Sequence, residues 1–175
     1  VTLSAIPKPS RDLLARIAAG EASGEASGEL RGVPEMLVRV AKSAMLSHQD
    51  WLATDERRAR YQARFEQLFD ERFDVLLMPI TPVPAIPHDP AGTTATRTIR
   101  VGAEPRPYMD LFAWIAPATA CYLPATAAPI GRTAAGLPVG LQIVGRYLDD
   151  RTTLAFASAL AAVHGGFVPP PAITG

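Results

Sequence analysis

The chain has 175 residues, 48% of them hydrophobic and 19% charged, which suits one globular unit with a real core and excludes a disordered or fibrous chain. Seventeen Lys and Arg balance seventeen Asp and Glu, so no net charge draws it to nucleic acid or to an anionic membrane. No apolar run reaches 18 residues, so no membrane-spanning helix is expected, and a lone Cys121 excludes an internal disulfide and fits a reducing, cytoplasmic setting.

The chain starts at Val1 and not at methionine, and residues 1–16 lack the pattern of a signal peptide. That start is read as a sign of truncation or processing. Ser10 is placed to cap a short helix over Arg11–Ala19, ended by Gly20. Residues 20–29 repeat Gly-Glu-Ala-Ser and hold no hydrophobic group larger than alanine. They cannot bury a face, so 20–32 is expected to be a flexible loop.

Pro34 suits the first turn of a helix running to about Leu46. Ser47 and Asp50 form a capping pair before Trp51 and Leu52. A longer helix is predicted over Asp55–Arg72, with Tyr61, Phe65, Leu68 and Phe69 as its buried stripe.

The period changes at Asp74. Val75–Met78 is continuously apolar and ends at Pro79, which predicts a strand buried on both faces. Pro79, Pro82, Pro84 and Pro87 hold an extended path, and Ala91–Pro107 is expected to cross the surface. Tyr108–Tyr122 reads as a helix kinked or broken by Pro117. Ala125–Ala128 and Val139–Val144 follow as strands, then a last helix over Arg151–His164, stopped by Gly165-Gly166. The order predicts an α/β fold in layers: 1–72 mainly helical, 73–175 α/β.

Four blocks carry a family resemblance. They are His48-Gln-Asp-Trp-Leu with Asp55-Glu-Arg-Arg and Arg60-Tyr; Phe73-Asp-Val-Leu-Leu-Met-Pro-Ile-Thr-Pro through Asp89; Tyr108-Met-Asp-Leu-Phe-Ala-Trp-Ile-Ala with Tyr122-Leu-Pro-Ala-Thr-Ala-Ala-Pro-Ile-Gly131; and Gly136-Leu-Pro-Val-Gly-Leu-Gln-Ile-Val-Gly-Arg146. The chain resembles the closing segment of the amidase signature family, which hydrolyses amide bonds with a serine nucleophile, a bridging serine and a lysine. The resemblance implies a layered α/β/α fold with a mixed sheet, of which residues 1–175 form the C-terminal part. It departs from many members at Ala120-Cys121-Tyr122, where they carry an Asn and a Gly before Leu-Pro.

The family's Gly-Gly-Ser-Ser-Gly-Gly-Ser stretch and its upstream lysine do not occur in this sequence, so no catalytic residue is assigned. No serine sits in Gly-x-Ser-x-Gly or has lysine three residues on. Lys42 and Ser43 are neighbours on a helix and so point in different directions. By resemblance to the glutamyl-tRNA amidotransferase branch, Asp110 would meet a substrate amino group; an N-cap for the following helix fits it as well. Tyr108 and Trp114 would line an apolar pocket or pack in the core.

His48, His88 and His164 are scattered, so no metal site is expected, nor any cofactor. His88-Asp89 could pair a base with its orienter or fix a Pro-rich turn. The partners implied are a small-molecule amide substrate, the N-terminal half of the amidase and a second copy in a homodimer. The alternative function is a non-catalytic, amidase-like remnant that serves as a binding module or reassembles with a separate N-terminal chain.

Overall fold

The computed structural model describes residues 8–19, 35–88, 91–94 and 96–170. The loop expected at 20–32, Pro34 and Asp89 lie outside the described residues. The chain divides into two compact units, one of residues 1–56 with 92–97, the other of 57–91 with 98–175.

The described residues of the first unit are mainly helical. α1 (Lys8–Ala18) and α2 (Glu35–Ala44) pack through a small core of Ile17 and Ala41, flanked by Leu14, Ala18 and Val38. Ser10 does not cap α1 as expected; the helix already begins at Lys8 and carries Pro9 in its first turn, where a missing N–H costs nothing. The expected cap at Ser47 is present. Its Oγ accepts the Asp50 N–H at 3.1 Å and donates to Asp50 Oδ2 at 2.6 Å, and α3 (His48–Glu71) begins there, about two turns earlier than its apolar periodicity indicated.

In the second unit, β5 (Pro138–Val144) is the central strand of a three-stranded sheet ordered β1-β5-β4, with β1 (Leu76–Pro79) and β4 (Ala125–Arg132) on either side. Every described strand pair is antiparallel, whereas a mixed sheet was expected. β4 and β5 form a hairpin closed by Thr133, whose N–H donates to the Leu137 carbonyl at 2.8 Å and whose Oγ1 accepts the Leu137 N–H at 3.1 Å. The register shifts between Pro129 and Gly131, an irregularity that bends the strand.

Alternation along the strands gives the sheet two covered faces. On one, Leu76, Met78 and Val144 meet Phe65 and Phe69 of α3, Phe73, Ala118 and Cys121 of α4 (Ala116–Cys121), and Leu123. Val144 is 1% exposed, a burial that contributes about 1.5–3 kcal/mol. On the other face lie Thr126, Ala128 and Ile143, and α5 (Asp150–His164) packs over β4 and β5. Thr126 and Thr153 join the layers by an Oγ1···Oγ1 hydrogen bond of 2.8 Å. Helices, sheet and helix make the α/β/α layering that the resemblance implied.

Several local expectations give way to packing. β1 is not buried on both faces: Leu77 is 46% exposed, because β1 has a strand only on its β5 side among the described residues. In the α3 stripe, Phe65 and Phe69 enter the core, but Tyr61 is 64% exposed and Leu68 lies on the rim. The polar excursion contains a hairpin, β2 (Thr98–Val101) with β3 (Glu104–Pro107), in which Ile99 is buried. Pro117 does not kink a helix; it stands in the first turn of α4, after a 3-10 helix over Tyr108–Phe112. α5 stops as expected at Gly165, whose φ of 89° only glycine adopts freely.

Candidate functional site

Gln142 is the polar exception in an apolar strand. It is 4% exposed, on the same sheet face as Val144. Its Nε2 donates to the Pro79 carbonyl at the end of β1 at 2.9 Å and to the Trp114 carbonyl at 2.7 Å. One amide group thereby bonds two main-chain carbonyls and ties the 108–115 segment to the sheet. Sequence reasoning passes over this residue, although a signal is there: a lone amide inside Val139–Val144 needs buried partners.

The tethered segment carries all three predicted binding residues. Tyr108 and Asp110 are half-buried in the 3-10 helix, and Trp114 follows at 44% exposure. Asp110 caps nothing: its Oδ2 accepts the Arg106 Nε–H at 2.7 Å, and only its main-chain carbonyl takes the Ala113 N–H. The N-cap of α4 is Ile115, with no side-chain bond. Asp110 is thus a carboxylate held by one arginine from the neighbouring β3 and open to solvent on its other side, which suits a cationic group. Trp114 is fixed through its backbone while its indole remains accessible, so it is not a core residue.

Beside the tether, Ile80–Ala85 and Pro138–Gly140 line an open cavity of about 270 Å³. Four of its lining residues are proline or glycine, and Thr81 Oγ1 donates to the Val83 carbonyl at 2.6 Å, which holds the Pro-rich wall in its turn. A Cβ at Gly140 would sit 3.2 Å from both the Ala128 carbonyl oxygen and Ile80 Cδ1, so glycine lets β4 and the wall approach β5 closely. Pro79 immediately precedes the wall, so the Gln142 bond anchors the wall and the Trp114 segment together.

The departure at Ala120-Cys121-Tyr122 has a structural consequence. Tyr122 takes the left-handed conformation (φ 56°, ψ 33°) that ends α4, and the Leu123 N–H reaches back to the Ala118 carbonyl at 3.0 Å. A tyrosine there costs about 1–2 kcal/mol of backbone strain. Arg58 Cζ lies 4.4 Å from its ring centroid, a contact that offsets part of that cost. Cys121 is buried beside it; desolvation raises its thiol pKa, opposed in part by the charge of Arg58. It is a core filler and no nucleophile.

Among the described residues, three serines are spent on helices; Ser4, Ser23 and Ser27 lie outside them. Ser43 Oγ donates to the Arg39 carbonyl at 2.9 Å and Ser158 Oγ to the Leu154 carbonyl at 3.0 Å. Neither faces a lysine, and Ser47 is the α3 cap. His48 stacks on Trp51, and His88 is exposed. A second feature unread in the sequence locks α3 to the turn after β5. Glu66 accepts the Tyr147 N–H at 3.0 Å and Arg146 Nε–H at 3.0 Å, and Arg146 also meets Asp70 at 2.7 Å. The Glu66 hydrogen bond, then the charge of Asp70, raise the Arg146 pKa.

Comparison with known proteins agrees with this architecture. A family model described as Amidase matches residues 14–154. A glutamyl-tRNA(Gln) amidotransferase chain of Nitrobacter hamburgensis is 34% identical over 121 residues, which are 68% of this chain and 22% of that protein. A solved amidase structure superposes with a TM-score of 0.59 at 25% identity, covering 77% of this chain and 30% of the other. The corresponding glutamyl-tRNA(Gln) amidotransferase chain of Thermotoga maritima shares the fold, with a TM-score of 0.57 at 20% identity over 98% of this chain and 32% of that one. The chain spans less than a third of the length of each.

Proposed function

Because the chain belongs to the amidase (amidase signature) family, we propose that it is the C-terminal portion of an amide (C–N) hydrolase and forms one wall of the acyl site. In this reading the attacking serine, the bridging serine and the lysine lie in polypeptide upstream of these residues. There the serine adds to the amide carbonyl while its proton passes through the second serine to the lysine, backbone N–H groups hold the oxyanion, and the proton returns by the same path to the nitrogen as the C–N bond breaks and the amine leaves. Water then releases the acyl group.

The observation that carries the assignment is the Gln142 tether. It anchors the segment that carries Trp114, Tyr108 and the Arg106-held Asp110, and also Pro79, which precedes the Pro-rich cavity wall; none of the three side chains lines that cavity. Trp114 and Tyr108 supply apolar contact for an acyl or aryl group. Asp110 supplies a negative charge for a substrate amino group.

The test compares this chain with the longer product of its reading frame on a panel of primary amides, scored by ammonia release. The longer product releases ammonia, and serine-to-alanine changes in its Gly/Ser-rich stretch abolish release. The 175 residues alone release none. Turnover by the isolated chain that disappears in Ser43→Ala overturns the proposal. A longer product that binds amides without turnover establishes the remnant alternative instead.

A further inference from the structure

Arg106 is held more firmly than a surface arginine needs to be. It stands between Pro105 and Pro107 in β3. The ring of Pro105 fixes that residue's φ, and Pro107 confines the residue before it to extended backbone. Across the hairpin Arg106 pairs with Ile99, which is 3% exposed and anchors β2–β3. β3 itself is exposed along its whole length, so the hairpin adds little core of its own.

What this stiff strand delivers is one bond. Pro107 (φ −54°, ψ 141°) leads into the 3-10 helix, and Arg106 Nε donates to Asp110 Oδ2 at 2.7 Å. The far end of the same segment is fixed by the Gln142 bond to the Trp114 carbonyl. The two side chains are 58% and 31% exposed, and an ion pair so open to water adds little stability. Its effect is on direction. A free carboxylate turns about a broad torsion. Tied at Oδ2, Asp110 presents Oδ1, which accepts no hydrogen bond among the described residues. A cation arriving at Oδ1 is repelled by Arg106, but in water two charges 4 Å apart are worth only about a fivefold factor. A well-aimed hydrogen bond to a charged group is worth about ten- to a hundredfold. Aim outweighs repulsion.

We propose that Arg106 is the positioning residue for Asp110, aiming Oδ1 at a substrate amino group and so favouring amides that carry one. This rests on the hydrolase reading, and the test separates the failure of one from the failure of the other.

The test uses the longer product of the reading frame and two amides of nearly equal shape, glycinamide and propionamide, which differ by an amino group in place of a methyl. Arg106→Met keeps the apolar stem and removes the guanidinium. It raises the KM for glycinamide about fivefold relative to the KM for propionamide, while the ratio of the two kcat values stays within about twofold. Arg106→Lys keeps a charged donor and recovers part of the shift. A KM ratio that does not move, or that moves in favour of glycinamide, overturns the proposal. So does a shift that Arg106→Lys leaves at the full Arg106→Met value. If the longer product turns over neither amide, the hydrolase reading fails, and binding to the 175-residue chain decides instead, followed through the Asp110 amide resonance. Glycinamide binding weakened by Arg106→Met then upholds the role of Arg106, and glycinamide binding no tighter than propionamide, or indifferent to the change, overturns it.

Discussion

At the scale of single residues, Gln142 has the widest reach. It is one amide that bonds two main-chain carbonyls from segments far apart in sequence, Pro79 and Trp114. Gln142→Leu keeps the volume and removes both bonds. The expected loss is about 1–3 kcal/mol in urea unfolding. Unchanged stability would show that water replaces the amide and that the tether does not position the segment. Asp110, Tyr108 and Trp114 were legible as candidates from their block alone. That Arg106 holds Asp110, and that Trp114 is anchored by its backbone, depends on side chains meeting in space.

At the scale of elements, the joint between β5 and α5 is set by Gly145. Its N–H donates to the Pro124 carbonyl at 3.0 Å, and a Cβ there would lie 2.6 Å from Thr153 Cγ2. Helix and sheet therefore approach as closely as they do only because this position has no side chain. Gly145→Ala should cost about 1–3 kcal/mol by overpacking. Thr153→Ser removes the obstructing methyl yet keeps the hydroxyl that bonds Thr126, so the double variant should be more stable than the sum of the two single changes. Strict additivity in thermal or chemical unfolding would contradict this account. Elements themselves were readable where periodicity and caps agreed: α5 with its Gly165 stop, β5, and α3 with its Ser47 cap. They were misread where partners decide. Pro117 begins a helix instead of kinking one, and a polar stretch pairs with itself as β2–β3, for which period alone gives no sign.

At the scale of the whole molecule, stability depends on pH through the buried thiol. Burial holds the Cys121 pKa above its ordinary value, so the folded state keeps the proton where the unfolded chain would release it. That term is absent below the ordinary thiol range near pH 8.5, and stability falls as pH rises through it. Cys121→Ala should lose less unfolding free energy between pH 7 and 10 than the parent chain, measured by denaturant titration at both values. An equal loss would show that Cys121 contributes no linkage.

By itself the sequence determined the layered α/β class, the membership that its Gly136–Arg146 and Phe73–Asp89 blocks announced, and the segment on which candidate binding groups lie. These follow from local period, turn chemistry and motif, all carried by neighbours along the chain. Only the tertiary structure decided that β5 is central and β1 an edge, that Gln142 joins two segments, and that Glu66 and Arg146 clamp the turn after β5. Each of these is a contact between residues distant in sequence, and strand order, burial and hydrogen-bond partners exist only once those residues are brought together.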